Sequence, residues 1–269
     1  MSSFETVELS DSKYESDGVR FLTINSKNLK GRGDICLYVP NVDKDVKDLP
    51  IYILLHGVYG SAWIWLMKGG AGHMAKKMME SNEIEPAIIV MPSDGLWGGG
   101  SAYLPHHSLH FDRWIVEDTI TAVRENIPEA KENEAVCIGG LSMGGYGAMM
   151  LGIKYSEKFR AISAHSSLTE LNQMKMFVSD PVEEFSDQQH SIDIIQLAKR
   201  YSERIPPLRF DCGSKDSLLD ANRQLHKSLQ EENISHIYEE FDGGHEWSYW
   251  QKNVERTFLF FDRHSSTHD

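Results

Sequence analysis

Short apolar runs alternate with segments of helical periodicity along most of the chain. Apolar runs that predict strands occupy residues 51–57, 86–95, 134–140, 159–167, 206–213 and 235–244. Helices are predicted over residues 65–81, 111–126, 146–155, 217–233 and 247–261. Because these strand runs are too continuous for a sheet with one solvated face, the pattern predicts a mainly parallel sheet with helices on both faces.

Two stretches depart from this alternation. Residues 19–40 predict two strands around turn residues 28–33, which places an antiparallel edge at the N-terminal side of the sheet. Residues 168–205 have no strand pattern and contain two helix-like segments, LNQMKMF and SIDIIQLAKRY. An insertion at this position predicts a cap above the carboxyl ends of the strands. We therefore expect a single domain over residues 1–269: an α/β three-layer sandwich with a twisted sheet and a small helical cap insertion.

Composition and charge limit the classes of function. The 269 residues are 41% hydrophobic and 25% charged, which is ordinary for a soluble globular protein, and the net charge is −13. No basic block is present, and nucleic acids or anionic membranes require one. The first residues, MSSFETVELSD, lack the basic and apolar regions of a signal peptide, and no apolar run approaches a membrane span. We expect a cytoplasmic protein with no nucleic-acid or membrane partner.

The three cysteines, Cys36, Cys137 and Cys212, have no paired spacing. An odd, sparse set of this kind does not form a disulfide framework. Because Cys137 and Cys212 lie in predicted strands, we expect both to be buried thiols.

The stretch CIGGLSMGGYGAMM, residues 137–150, carries the clearest chemical signal. Its Gly140-x-Ser142-x-Gly144 follows a predicted strand and precedes a predicted helix, the context of a nucleophile elbow. The chain must reverse sharply there, which exposes the serine hydroxyl and leaves no room for side chains two positions away. A phosphate-binding loop would need the lysine of G-x-x-x-x-G-K-[ST], which this stretch lacks.

A serine hydroxyl needs a base and an acid to become a nucleophile. In this type of fold they follow the serine in the order acid, then histidine. Asp216 comes just after the strand run 206–213, and His245 comes just after the run 235–244. Asp220 is an alternative acid inside the next helix, whereas Asp242 is too close in sequence to face the histidine easily.

A tetrahedral intermediate needs two donors for its oxyanion. One is the backbone N–H of Met143, directly after the serine, and the other should come from the loop HGVYG at 56–60, where Val58 is the best candidate. His56 in the same loop is better interpreted as a residue that fixes the loop than as a catalyst.

Four side chains are candidates for substrate contact. Trp97 and Asp94 lie in the segment 93–107, which follows the apolar part of the strand run, residues 86–91. Trp65, with its neighbour Trp63, lies beside the loop at 56–60, and His165 ends a predicted strand next to the nucleophile strand. For each of them, structural packing is the competing explanation.

HHSLH at residues 106–110 places histidines four apart, as in a helical metal pair. No carboxylate or third ligand is positioned to complete a metal site, so a solvated loop is the favoured interpretation. We expect no metal and no cofactor.

The motifs LLHGVYG, GGLSMGGYGA, GSKD and GGHEW resemble a group of α/β-hydrolases that includes esterase D, feruloyl and acetyl esterases, tributyrin esterases and mycolyltransferases. This resemblance covers roughly residues 29–261, and GLSMGGYGA is its most specific element. It implies the α/β-hydrolase fold and a serine carboxylic-ester hydrolase that forms an acyl-enzyme. It also implies a Ser142–His245–Asp216 triad, with Val58 and Met143 as oxyanion donors.

The expected substrate is a small-molecule ester with a short-chain or aromatic acyl group, and acylated sugars are a further option. An acyltransferase or thioesterase would use the same triad. S-formylglutathione hydrolases carry a cysteine soon after the HG of the loop, where this chain has VYGSAW, so that substrate is disfavoured. A non-catalytic binding module usually loses its serine or histidine, and both are present. A homo-oligomer remains open.

Overall fold

A mixed sheet forms the centre of the protein. The computed structural model describes residues 2–131, 133–185 and 193–265, and within them the sheet has nine strands in the order β1-β2-β3-β5-β4-β8-β9-β10-β11. A separate two-stranded ladder consists of β6 and β7. The strands are β1 Val7–Leu9, β2 Val19–Ser26, β3 Gly31–Tyr38, β4 Ile51–Leu55, β5 Ile88–Pro92, β6 Pro105–His106, β7 Leu109–His110, β8 Val136–Leu141, β9 Ala161–His165, β10 Leu208–Gly213 and β11 Ile237–Phe241.

Strand directions confirm the predicted sheet. Neighbouring strands from β5 through β11 in the sheet order pair in parallel, whereas β1, β2 and β3 pair antiparallel with one another and β3 pairs antiparallel with β5. Parallel strands end at the same edge, so the loops after β4, β5, β8, β10 and β11 meet there. Strand β1 was not predicted, because its three residues contain no apolar run.

Helices cover both faces of the sheet. Their bounds are α1 Ile64–Met67, α2 Ala71–Glu80, α3 Phe111–Arg113, α4 Ile120–Asn126, α5 Met143–Lys154, α6 Ile194–Arg200, α7 Leu219–Glu231 and α8 Trp247–Ser265. A π-helical segment, Trp114–Thr119, joins α3 to α4, so the predicted helix over residues 111–126 is present with a wider turn in its middle.

One apolar cluster lies on each face of the sheet, because alternate strand residues point to opposite faces. On β4, Ile51, Ile53 and Leu55 join one cluster, which includes residues of α4, α5 and α7. Tyr52 and Leu54 join the other, which includes residues of α2 and α8. Each large apolar side chain buried in this way contributes roughly 1.5–3 kcal/mol of transfer free energy. The clusters form the predicted three-layer arrangement.

The cap insertion lies between β9 and β10. LNQMKMF forms a 3₁₀ segment, Leu171–Met176, rather than an α-helix. SIDIIQLAKRY forms helix α6 from Ile194, capped by Asp193, whose carboxylate accepts the Ile195 N–H at 3.0 Å. The first two residues of that segment lie in 186–192, outside the described residues.

Cys137 and Cys212 are buried free thiols, as predicted, and Cys36 is also buried. Burial, with a smaller effect of Asp34, raises the pKa of the Cys36 thiol to about 12. Across the described part of the chain, no helix combines the length and apolar character that a bilayer crossing requires.

Candidate active site

Ser142 stands at a sharp turn between β8 and α5. Its φ of 54° and ψ of −121° are strained for a residue with a side chain. A Cβ on Gly140 would overlap the Gly144 carbonyl, and a Cβ on Gly144 would overlap the Leu55 carbonyl. The Ser142 N–H donates to the His165 carbonyl at 2.9 Å, which fixes the strained backbone from the neighbouring strand. The elbow geometry is therefore the one the motif predicts.

Asp216, His245 and Ser142 form one hydrogen-bonded chain. His245 Nδ1 lies 3.1 and 3.0 Å from the two Asp216 carboxylate oxygens, and its Nε2 lies 2.9 Å from Ser142 Oγ. Asp216 follows β10 and His245 follows β11, so the sheet edge brings together residues that are 29 and 103 positions apart.

The charge state of Asp216 sets the roles of the two histidine nitrogens. Burial alone would raise the pKa of Asp216, but the hydrogen bond and charge of His245 and the Leu218 N–H hold that pKa below its ordinary value. The Leu218 N–H donates to the carboxylate at 2.8 Å. An ionised carboxylate can only accept hydrogen bonds, so His245 Nδ1 carries the proton. Its Nε2 is then the acceptor for the Ser142 hydroxyl.

The loop after β4 approaches the elbow closely. A Cβ built on Gly57 would lie 3.3 Å from the Ser142 Cβ, so this loop passes directly beside the serine. Val58 comes next in that loop, and Met143 occupies the first position of α5, where helix N–H groups have no partner within the helix. Met143 thus directly follows Ser142, and Val58 directly follows the glycine that lies beside it.

His56 fixes this loop to the loop after β5. Its Nε2 accepts the Asp94 N–H at 3.0 Å, which leaves Nδ1 as the donor to the Gly57 carbonyl at 2.7 Å. This bonding fits the predicted loop-fixing role of His56 and leaves neither ring nitrogen free for catalysis.

Two aromatic side chains enclose the His245 ring. Phe177, from the cap, stacks on it with ring centroids 5.1 Å apart and planes inclined by 23°. Trp250, from α8, meets it at 90° with the same centroid separation. Phe177 was not predicted, because a short insertion without regular periodicity gives no indication of where its side chains lie.

Two of the candidate pocket residues are structural. Trp65 is 1% exposed and donates its indole N–H to the Leu55 carbonyl at 2.9 Å. Asp94 is 2% exposed, and its carboxylate accepts the N–H groups of Leu96 and Ser101 at 2.9 and 2.7 Å. The prediction that these side chains contact substrate is wrong, because both are buried and their polar atoms fix loops.

His165 is also not a pocket residue. Its side chain is fully buried, with Nδ1 2.9 Å from an Asp211 carboxylate oxygen and Nε2 2.7 Å from Thr257 Oγ1. Asp211 further accepts from Arg209 and Tyr249, both at 2.7 Å. Arg209 and Asp211 are polar residues on the same face of an internal strand, which is the sequence signal that could have revealed this buried network.

The remaining candidates have different environments. Trp97 packs against His106, His107 and Phe185, and its contact with substrate stays a prediction. His106 is fully buried in the β6–β7 ladder, so the prediction of a solvated loop is wrong there. The Asp220 side chain is 99% exposed on α7, so it is not the acid that faces His245.

Comparison with known proteins gives the family of this chain. Residues 26–261 match the protein family described as "Putative esterase". The chain belongs to this family. An acetyl esterase of Caldicellulosiruptor saccharolyticus is 29% identical to this esterase over 240 residues, which cover 82% of this chain and 86% of that protein.

Solved structures of two hydrolases have the same fold as the esterase. A ferulic acid esterase superposes with a TM-score of 0.77 at 21% identity, over 97% of this chain and 99% of that one. An S-formylglutathione hydrolase from Staphylococcus aureus superposes with a TM-score of 0.75 at 21% identity, over 94% and 99% of the respective chains. The fold is that of the α/β-hydrolases, and the protein is an esterase that hydrolyses carboxylic esters.

Proposed function

We propose that Ser142 is the nucleophile of this esterase and that the reaction passes through an acyl-enzyme. Ser142 Oγ attacks the ester carbonyl carbon while His245 Nε2 takes the hydroxyl proton. The backbone N–H groups of Val58 and Met143 stabilise the resulting oxyanion. Collapse of the tetrahedral intermediate expels the alcohol, which receives the proton from His245, and water then repeats the sequence to release the acid.

One observation carries this proposal: the unbroken chain of hydrogen bonds from Asp216 through His245 to Ser142. Asp216 is the orienting acid, because its carboxylate holds the proton on Nδ1 and stabilises the imidazolium that forms during attack. The strained turn at Ser142 supports the same role, since it directs the hydroxyl to the histidine rather than into the helix.

We propose short-chain or aromatic acyl esters as the substrate class, with acylated sugars included. The similar proteins named acetyl esterase and ferulic acid esterase support small and aromatic acyl groups. Apolar side chains on the surrounding loops also support them: Tyr59, next to Val58, is 69% exposed, and Met176, next to Phe177, is 56% exposed. These exposed surfaces offer contact to an apolar group and no charge to attract an anion.

The deciding experiment is the Ser142→Ala variant, assayed with p-nitrophenyl acetate and butyrate. We expect kcat to fall by at least about 10⁴-fold, because the remaining groups provide no nucleophile. A fluorophosphonate probe should label the wild-type protein and leave the variant unlabelled. Circular dichroism should show an unchanged fold, and undiminished turnover in a folded variant would exclude Ser142 as the nucleophile.

A screen of esters tests the substrate class. Acetate, butyrate and longer p-nitrophenyl esters, methyl ferulate and an acetylated sugar would be compared by kcat/KM. We expect the highest values among the short-chain or aromatic esters, and a clear preference for long-chain esters would contradict the proposed class.

A further inference from the structure

One short segment of the cap contacts both the proposed base, His245, and the loop that supports the proposed oxyanion donor. We name residues 177–180 the cap bridge. Phe177 at its start stacks on His245, and Asp180 at its end contacts the loop after β5. Val178 between them is buried, 7% exposed, so the segment is anchored in the core. A segment that only lined a substrate pocket would not need specific contacts with His245 at one end and with Gly99 at the other.

Asp180 is linked to the loop of residues 56–60, which we name the oxyanion loop, through one residue, Gly99. Its Oδ2 accepts the Gly99 N–H at 3.0 Å, and the Gly99 carbonyl accepts the Tyr59 N–H at 2.7 Å. Tyr59 directly follows Val58 and has a φ of 55°, a conformation that costs free energy for a residue with a side chain. The two hydrogen bonds therefore hold a strained loop next to the proposed oxyanion donor.

The packing around Gly99 shows how close this contact is. A Cβ on Gly99 would lie 2.8 Å from Asp180 Oδ2, 2.8 Å from Val178 Cγ1 and 3.1 Å from Tyr59 Cε1. The cap bridge and the oxyanion loop thus both contact a single residue, Gly99. Movement of the cap bridge would be transmitted directly to Tyr59 and hence to Val58.

Phe177 restricts the catalytic imidazole from the cap side. Hydrogen bonds from the ring nitrogens fix where each nitrogen lies but do not by themselves fix the tilt of the ring plane. A stacked ring at 5.1 Å on one side and Trp250 in edge contact at 5.1 Å restrict that tilt. Ring orientation matters because Nε2 must face both Ser142 Oγ and the leaving alcohol.

We propose that Asp180 and Phe177 are positioning residues: Asp180 holds the Val58 donor through Gly99, and Phe177 holds the His245 ring. The inference rests on the proposed roles of Val58 and His245. It assigns the cap bridge a function in assembling the catalytic groups, beyond any part in binding the acyl group. Positioning affects the transition state, so its loss should lower kcat by the same factor for every substrate, whereas loss of a pocket wall should change KM in a way that depends on the acyl group.

Asp180 is tested by a pair of substitutions that separate its charge from its hydrogen bond. Asp180→Ala removes the acceptor for the Gly99 N–H, and Asp180→Asn keeps an acceptor oxygen without the charge. Removing an oxyanion donor outright costs about 10²–10³-fold in kcat, so loosening one should cost Asp180→Ala about 10-fold, equally on p-nitrophenyl acetate and butyrate and with KM within about 2-fold. We expect Asp180→Asn to restore kcat to within about 3-fold of wild type.

Glu183→Ala is the matched control, because Glu183 is an exposed cap carboxylate paired with Lys175. It should leave kcat and KM unchanged. Wild-type activity in Asp180→Ala, a change in KM alone, or an Asn variant as impaired as the Ala variant would each overturn the role of Asp180.

Phe177 is tested with Phe177→Leu and Phe177→Tyr. The leucine keeps apolar bulk but has no flat ring to stack on His245, so kcat should fall about 3- to 10-fold for both esters, with KM within about 2-fold. The tyrosine retains the stacked face and should keep at least about half of wild-type kcat. Thermal melting of each variant shows whether the fold is intact. A leucine variant with wild-type kcat, or an effect that differs between acetate and butyrate, would overturn the role of Phe177.

Ser142→Ala, assayed alongside, separates the two proposals. If Ser142→Ala retains turnover, the proposed function fails. If Ser142→Ala is inactive while Asp180→Ala and Phe177→Leu have wild-type kcat, only the positioning role fails.

Discussion

Three histidines near the carboxyl ends of the strands differ in what their ring nitrogens contact. His56 bonds two backbone groups, and His165 bonds Asp211 and Thr257. His245 alone among these three bonds a serine hydroxyl, and its side chain remains 17% exposed. A proton shuttle needs one nitrogen held by an acid and one that reaches the reacting group. Side-chain partners, more than position along the strand, therefore separate the candidate base from structural histidines.

Asp216→Asn tests the acid at this scale. The amide can donate to Nδ1 and so favours the wrong imidazole tautomer, which should lower kcat by about 10²–10⁴-fold at neutral pH while the fold is retained. Steady-state kinetics with p-nitrophenyl butyrate would measure the loss. Asp220→Asn, on the exposed face of α7, is the matched control and should have wild-type kinetics. Equal effects of the two substitutions would contradict the assignment.

Gly144→Ala tests the crowding at the elbow. The added Cβ would overlap the Leu55 carbonyl, which is backbone and cannot rotate away, so we expect a loss of about 3 kcal/mol in the free energy of unfolding. Gly31→Ala is the control, since the nearest heavy atom to its Cβ lies 3.8 Å away, and its change should stay within about 1 kcal/mol. Urea denaturation measures both, and a tolerated alanine at 144 would refute the crowding argument.

At the scale of elements, local pattern predicted where the strands and the long helices lie along the chain and that the sheet is mainly parallel, whereas the order of the strands within the sheet was not predicted. A strand with a continuous apolar run, such as 134–140, must be buried on both faces of the sheet, and this can be predicted from the sequence without knowing the fold. Contacts between distant segments were not predictable in the same way. Whether His165 faces a pocket or Asp211 depends on the packing of β9, β10 and α8, and whether Phe177 reaches His245 depends on how a cap of short turns folds back.

The site shows the same division. Ser142, Asp216 and His245, the candidate triad, were identifiable because each lies in a recognisable motif at or shortly after the end of a strand, so the sheet edge brings them together. The wrong predictions for Trp65 and Asp94 came from the same rule, since a position near the sheet edge does not state whether a side chain faces solvent or fixes a loop.

Tyr249→Phe tests how α8 is attached to the sheet. The Tyr249 hydroxyl donates to buried Asp211 at 2.7 Å, and losing a hydrogen bond to a buried carboxylate should cost about 1.5–3 kcal/mol of stability. Tyr238→Phe is the control, because its hydroxyl bonds Glu240 at the exposed edge strand and should contribute less than about 1 kcal/mol. Denaturation midpoints at neutral pH distinguish them, and equal losses would contradict the buried role.

Across the whole molecule, the excess of acidic groups divides into two populations. Most carboxylates are exposed and give the net charge of −13. Asp112, Asp211 and Asp216 are instead buried, and burial by itself would raise the pKa of each. Specific partners outweigh burial and hold each pKa below its ordinary value: Tyr155 and Lys154 for Asp112, His165 and Arg209 for Asp211, and His245 for Asp216.

The change in the free energy of unfolding with pH should depend on these buried carboxylates. The pKa of Asp211 is lowered to about 2 in the folded state, so its contribution is complete above about pH 4 and is lost as the pH falls towards 2. The difference between the pKa of Asp211 in the folded and unfolded states corresponds to about 2 kcal/mol in the free energy of unfolding. Chemical denaturation between pH 5 and pH 2 should show this loss in wild type.

Asp211→Asn should be less stable than wild type at pH 7 and should lose less stability across the same pH interval. Asp220→Asn, with an exposed side chain, should follow the wild-type curve. An Asp211→Asn curve parallel to that of wild type would show that this carboxylate does not titrate as expected.

The position of the cap in the chain also divides the proposed catalytic groups between two fragments. Ser142 and the oxyanion loop precede the cap, whereas Asp216 follows β10 and His245 follows β11. A protein cut at Ser202, past α6, would leave the proposed nucleophile on one piece and its proposed base on the other. Neither piece alone would turn over an ester, so recovered hydrolysis would directly report their reassembly.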